Sequence, residues 1–161
     1  MDIYKEFFMR KIIISVSILL ALVGCENKKG TFLKTVISQN GHEVSVKKLK
    51  KLIHDEDLTL FHTIDHKANA TAVNMNLKPE TVVVFGNPKM GTVLMNCNPS
   101  MGLDLPLRIL VSTNYEGITS FIYTNPEYWS LKHNIKDKNC LTILNKAAIA
   151  LDDLTNKASQ K

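Results

Sequence analysis

Apolar residues recur along this chain with two periods, and the switches between them mark out the elements. Between Ser45 and Asp57, Val46, Leu49, Leu52 and Ile53 have the spacing of one helical face, while Lys47, Lys48, Lys50 and Lys51 fall on the other. Ser45 stands where a helix cap belongs. Leu58 to Asp65 reads as a strand and Asn69 to Met75 as a short helix. Thr81-Val82-Val83-Val84-Phe85 is the strongest strand signal, and its unbroken apolar run predicts a central strand covered on both faces. Leu105 to Ser112 predicts a strand with Pro106 near its beginning, and Ile118 to Thr124 its hairpin partner across a turn at Asn114–Gly117. Asn-Pro occurs at 87–88, 98–99 and 125–126; each pair joins a good N-cap to the residue favoured at the first helical position. Tyr128, Trp129 and Leu131 ride on a short helix after the third pair. From about Asn139 to Lys157, Leu141, Leu144, Ala148, Leu151 and Leu154 form the stripe of a last amphipathic helix. The order predicts an α+β fold: a single compact domain, mainly antiparallel sheet, with helices packed on one face.

The beginning of the chain breaks this pattern. Arg10 and Lys11 precede an uncharged run from Ile12 to Gly24, and Cys25 follows directly. That run is shorter than the ~20 residues of a spanning helix and has the length of a secretory h-region. Leu22-Val23-Gly24-Cys25 resembles the lipobox of bacterial lipoproteins. The resemblance implies cleavage before Cys25, diacylation of its thiol, and Glu26 directing the chain to the outer membrane, facing the periplasm. Two acyl chains give a stable anchor where one does not. Both Met1 and Met9 stand ahead of the basic pair as starting points. The resulting division is 1–24 signal peptide, 25–40 tether with one strand over Phe32–Ile37, and 41–158 domain. The net charge of +5 is ordinary for a surface that meets anionic lipid heads. Export and the lack of basic–aromatic interleaving exclude a nucleic-acid partner.

A set of blocks is more specific than composition. Ile64-Asp65-His66, Phe85-Gly86-Asn87-Pro88-Lys89-Met90-Gly91-Thr92, Leu94-Met95 and Gly102-Leu103-Asp104-Leu105-Pro106-Leu107-Arg108 occur in order over about residues 40–155. They resemble the bacterial "domain of unknown function 302" family. The resemblance implies a compact α+β fold and small dimers, and brings no particular chemistry with it. Asn96-Cys97-Asn98 is more polar than that pattern leads one to expect.

The remaining chemistry is weighed residue by residue. Gly86 to Thr92 has the G-x-x-x-x-G spacing of a phosphate loop, but Thr92 stands where the lysine belongs. A helix start with Asn87, Lys89 and Thr92 still attracts an anion; the plainer reading is a tight strand-to-helix turn. His62 and His66 are too far apart along a strand to share a metal; Asp65 beside His66 would orient an imidazole, but neighbours on a strand face opposite ways, and an ordinary hydrogen-bonded histidine near a strand end is the preferred reading. Met90, Met95, Cys97 and Met101 are soft ligands within twelve residues, a copper-like set that matches no ligand spacing and otherwise fills a core. No metal or cofactor is therefore assigned. Cys97 and Cys140 are the thiols left after Cys25; export permits a disulfide, adding about 4 kcal/mol for this loop, but two separate buried thiols are the preferred reading. Cys97 as a nucleophile would need a base such as His66 or His133 from the fold. Asp104 and Arg108 read as a structural ion pair, with Arg108 as a carboxylate clamp the alternative. The lysine-rich helix face reads as solvated or turned to lipid heads.

Together these features predict a non-enzymatic, lipid-anchored module that binds a small anionic or apolar ligand, or a partner. Its site is expected where the Phe85 strand meets the Asn87–Thr92 turn, near His66 and Arg108. The alternatives are a small enzyme using His66 or Cys97 with Lys89 and Arg108, and a structural homodimer paired through a sheet edge.

Overall fold

The computed structural model describes residues 32–161, so the leader, Cys25 and the tether up to residue 31 lie outside the described residues. Five strands form one antiparallel sheet: β1 (Leu33–Ile37), β2 (Thr59–Asp65), β3 (Glu80–Gly86), β4 (Leu107–Thr113) and β5 (Thr119–Thr124), in the order β1-β5-β4-β3-β2. The helices are α1 (His42–Asp55), α2 (His66–Ala72), α3 (Pro88–Cys97), α4 (Trp129–Lys132) and α5 (Lys138–Ser159), with 3-10 turns at Pro99–Leu103 and Pro126–Tyr128. The predicted α+β class is the observed one. None of the described helices is long and apolar enough to cross a membrane.

Strand alternation decides where the core lies. Val83, Phe85, Ile109, Val111 and Phe121 share one face and are fully enclosed with Leu49 and Ile53 of α1 and Leu144 and Leu151 of α5. The opposite face carries Val82, Val84, Leu110 and Ile122, each half-buried, so β3 is not covered on both faces as its apolar run predicts. It lies inside the sheet between β2 and β4, and that is enough to favour β-branched residues on both of its sides.

The three Asn-Pro pairs act as the sequence predicts. Asn87, Asn98 and Asn125 accept the amides of Met90, Ser100 and Glu127 at 3.1, 3.0 and 3.2 Å, each ahead of a proline in the first turn. Ser45 behaves otherwise. The cap of α1 is Gly41, and Ser45 is buried one turn inside, its hydroxyl 2.8 Å from that of Ser38. The predicted strand Leu105–Ser112 also shifts: Pro106 stays outside the ladder, behind a cis Leu105–Pro106 bond, and β4 runs from Leu107 to Thr113. On α5 the buried stripe runs through Cys140, Leu144, Leu151, Leu154, Thr155 and Ala158, and Leu141 stands 38% exposed. Leu144, Leu151 and Leu154 are buried as predicted, and Cys140 in the first turn is bonded to Cys97.

That disulfide replaces the two separate thiols expected from the sequence. Cys97 ends α3 and Cys140 lies in the first turn of α5, with Cα atoms 6.8 Å apart across a separation of 43 residues. Closing a loop of that size adds about 4 kcal/mol. Leu94 is the one fully buried side chain of α3 and adds about 2 kcal/mol. The covalent link is therefore the stronger tie of this helix to the body.

Candidate functional site

The site grows out of small residues at one end of the sheet. Gly86 closes β3, Gly91 sits inside α3, Gly102 in the 3-10 turn, and Ala147 and Ala150 on α5. Side chains this short leave the space between the two helices unfilled. The result is a groove of about 490 Å³, within the size range of small-molecule sites. Larger apolar side chains form its walls, chiefly Leu58, Phe61, Met90, Met95, Leu105 and Ile143. Phe61 reaches it through an irregularity in β2: Leu60 pairs with Phe85 and His62 with Val84, so Phe61 is the extra residue of a bulge.

The polar groups of the groove are few. The Asn87 side-chain oxygen is occupied by the Met90 amide, and the Thr92 hydroxyl donates to the Pro88 carbonyl at 2.8 Å. Both oxygens are engaged within the helix start. Pro88 has no N–H and the Met90 amide is taken, which removes two donors from the phosphate-loop-like turn. Lys146 of α5 is the remaining charged group of the lining, and it pairs with no carboxylate among the described residues. The arrangement suits an apolar body carrying one negative head.

The predicted site residues divide. Asn87 and Thr92 line this groove, whereas Lys89 is exposed on α3 and does not. His66 begins α2, next to Asp65, which pairs with Thr81 at the far end of β3. Five residues of strand, about 17 Å, separate that end from Gly86. Asp65 spends its carboxylate on the Ala68 amide at 2.9 Å, capping α2. Arg108 pairs in register with Val84 on the open face and donates to the Leu103 carbonyl at 3.1 Å. His66 thus lies away from the Asn87–Thr92 turn, neither Lys89 nor Arg108 lines the groove, and of the expected set Asn87 and Thr92 are the residues that do. The four sulfurs also part company: Met90 and Met95 face the groove, Met101 is fully buried in the core, and Cys97 is bonded to Cys140. The lysines of α1 also divide. Lys47 and Lys50 border a second, wider groove with His42, Lys67 and Asp65, while Lys48 and Lys51 hold Gln160 and Asp55.

Asp104 has partners that sequence spacing did not point to. Its carboxylate takes Lys132 Nζ at 2.8 Å and His133 Nε2 at 2.5 Å, not Arg108. The other ring nitrogen, Nδ1, lies 2.7 Å from Ser100 Oγ, and Asn98 Nδ2 donates to the His133 carbonyl at 2.8 Å. Burial alone would raise the Asp104 carboxyl, but hydrogen bonds and charge from Lys132 and His133 outweigh it and hold it below the usual range. The order Ser–His–Asp is that of a proton relay. Here His133 is 3% exposed, and neither it nor Ser100 borders the groove. The cluster ties the 98–104 segment to the end of α4. Separations of 28 to 35 residues hide it from any local motif.

Residues 34–157 match the family described as "Domain of unknown function DUF302". The chain belongs to the DUF302 family. A crystal structure of an uncharacterized conserved DUF302 protein from Bacillus stearothermophilus superposes with a TM-score of 0.71 at 17% identity, covering 80% of this chain and 99% of that one. At that identity the likeness establishes the DUF302 fold. Proteins named Fluoride-specific ion channel FluC 1 from Brucella suis and Brucella abortus are 29% identical to this chain over 103 residues. The alignment spans 64% of this chain but 41% and 38% of those relatives. The DUF302 chain thus covers about two fifths of their length.

Proposed function

We propose that this DUF302 domain is a binding module that holds an apolar small molecule with one anionic head in the groove between α3 and α5. We further propose that it does so from an acylated Cys25 in the bacterial envelope, at the outer membrane facing the periplasm. The groove carries the first part: it is preformed, walled by apolar side chains, and has Lys146 as its unpaired charge. The leader with its Gly24-Cys25 junction supports the second. A small enzyme using His66 or Cys97 with Lys89 and Arg108 has less support, since His66 stands at the far end of β3 and Cys97 is bonded to Cys140.

The ligand reading is tested with laurate, measured by titration calorimetry on the purified protein. Gly91 faces Leu105 across ordinary contact distance, 3.8 Å from a Cβ built there, so Gly91→Leu fills the groove while improving the helix. Laurate binding that drops about tenfold or more in this variant supports the reading; laurate that fails to bind the wild type removes it. For the anchor, palmitate label on the wild type that persists in Cys25→Ser would refute acylation there. The open face bearing Val82, Val84, Leu110 and Ile122 favours a second reading, a homodimer. A wild-type protein that sediments as a monomer at all concentrations excludes it.

A further inference from the structure

We propose that Cys97–Cys140 is a thiol–disulfide exchange site and that its redox state opens or closes the ligand groove. This rests on the groove being the ligand site. Three observations carry it. The link joins the last residue of α3 to the first turn of α5, the two helices whose side chains face each other across the groove. Its two cysteines are unequal: Cys97 is an exposed residue and Cys140 a fully buried one. Apart from Leu94, no side chain of α3 is fully buried, so breaking the link leaves this wall lightly held.

The asymmetry sets the order of the chemistry. The thiolate of a low-molecular-weight thiol attacks Cys97 Sγ, forming a new S–S bond there. The Cys97–Cys140 bond breaks, and its electron pair leaves on Cys140, which takes a proton from water. Cys140 is the third residue of a 22-residue helix, where the free amide ends favour a thiolate leaving group. The Asp137 carboxylate lies within 4.8 Å of both sulfurs and opposes that charge, while it accepts the Cys140 amide at 3.0 Å. A second thiol then attacks the mixed disulfide on its outer sulfur and releases Cys97 as a thiolate. Two external thiols become one disulfide, and the protein disulfide becomes two thiols. With the link gone, α3 is free to move away from α5. A ligand that needs both walls binds the oxidised form better and, by linkage, makes the disulfide harder to reduce by the same factor.

The test compares laurate affinity of the purified full-length protein before and after dithiothreitol, with unfolding followed in both states. The expected result is an affinity about tenfold weaker in the reduced protein, recovered on reoxidation, and already weak and indifferent to dithiothreitol in Cys97→Ser. Equal affinity in the two redox states overturns the gating and leaves the ligand reading standing. Laurate that binds neither state overturns the ligand reading. Exchange is then read separately, as a glutathione adduct mapped by mass spectrometry on the folded protein. An adduct on Cys97 supports the assignment, and the absence of one there, or its presence on Cys140 instead, overturns it.

Discussion

The 98–104 segment serves two regions that could hardly differ more. Gly102 borders the apolar groove, while Ser100 and Asp104 belong to the cluster with Lys132 and His133. The cluster has the residue types of a hydrolytic relay, and every polar atom in it is spoken for. The groove has almost no reactive groups, and its volume is open. Binding needs unfilled space and unspent partners, so the plainer region is the better ligand site. The polar region is a fastener, because buried polar groups that satisfy one another fix geometry and become costly when one is removed.

The largest expected effect of breaking this contrast falls on the cluster. Asp104→Ala leaves His133 enclosed without its acceptor and is expected to cost about 3 kcal/mol in urea unfolding. Laurate affinity in the folded fraction should stay as it was; a loss below about 1 kcal/mol, or binding that disappears with it, would merge the two regions into one. Acid titration reads the same residue more gently. The folded Asp104 carboxyl titrates below its ordinary value of 3.8. Its stabilisation is complete above that pH and is lost as pH falls through the folded value. Asp104→Asn should therefore lack a part of the wild-type stability loss below about pH 4, and identical acid limbs would remove this carboxylate from the account. The smallest effect sharpens the groove. Lys146 is exposed, so its attraction for a carboxylate is worth about 1 kcal/mol at most. Lys146→Met should weaken laurate several-fold and leave the uncharged dodecanol unchanged; equal effects on both would mean the head lies elsewhere.

Features encoded by neighbours in sequence were legible, and those made by distant partners were not. The Asn-Pro starts are local, since a side-chain cap and a proline act within one turn, and all three were readable. The strand at Thr81–Phe85 was readable from β-branching, though not its open side. Ser45 misleads because Ser38, seven residues earlier, claims its hydroxyl inside the core. The bond that ties α5 to α3 joins residues 43 positions apart, beyond any local pattern. Of the candidate site, Asn87 and Thr92 were found because they belong to a strand-to-helix turn. The groove itself depends on small residues from four separate elements, and absent volume leaves no periodic trace. Asp104 was singled out, but its partner was sought at the even offset of a strand, and Lys132 and His133 arrive from another layer.

One short contact has an architectural consequence. The Gln39 amide donates to the Ser159 carbonyl at 2.8 Å, and Asn40 reaches the Gln160 carbonyl at 2.6 Å. The connection between β1 and α1 is thus fastened to the last residues of α5. Clipping residues 159–161 would take away both acceptors and leave the exit of the first strand unbuttoned while the sheet itself stays whole.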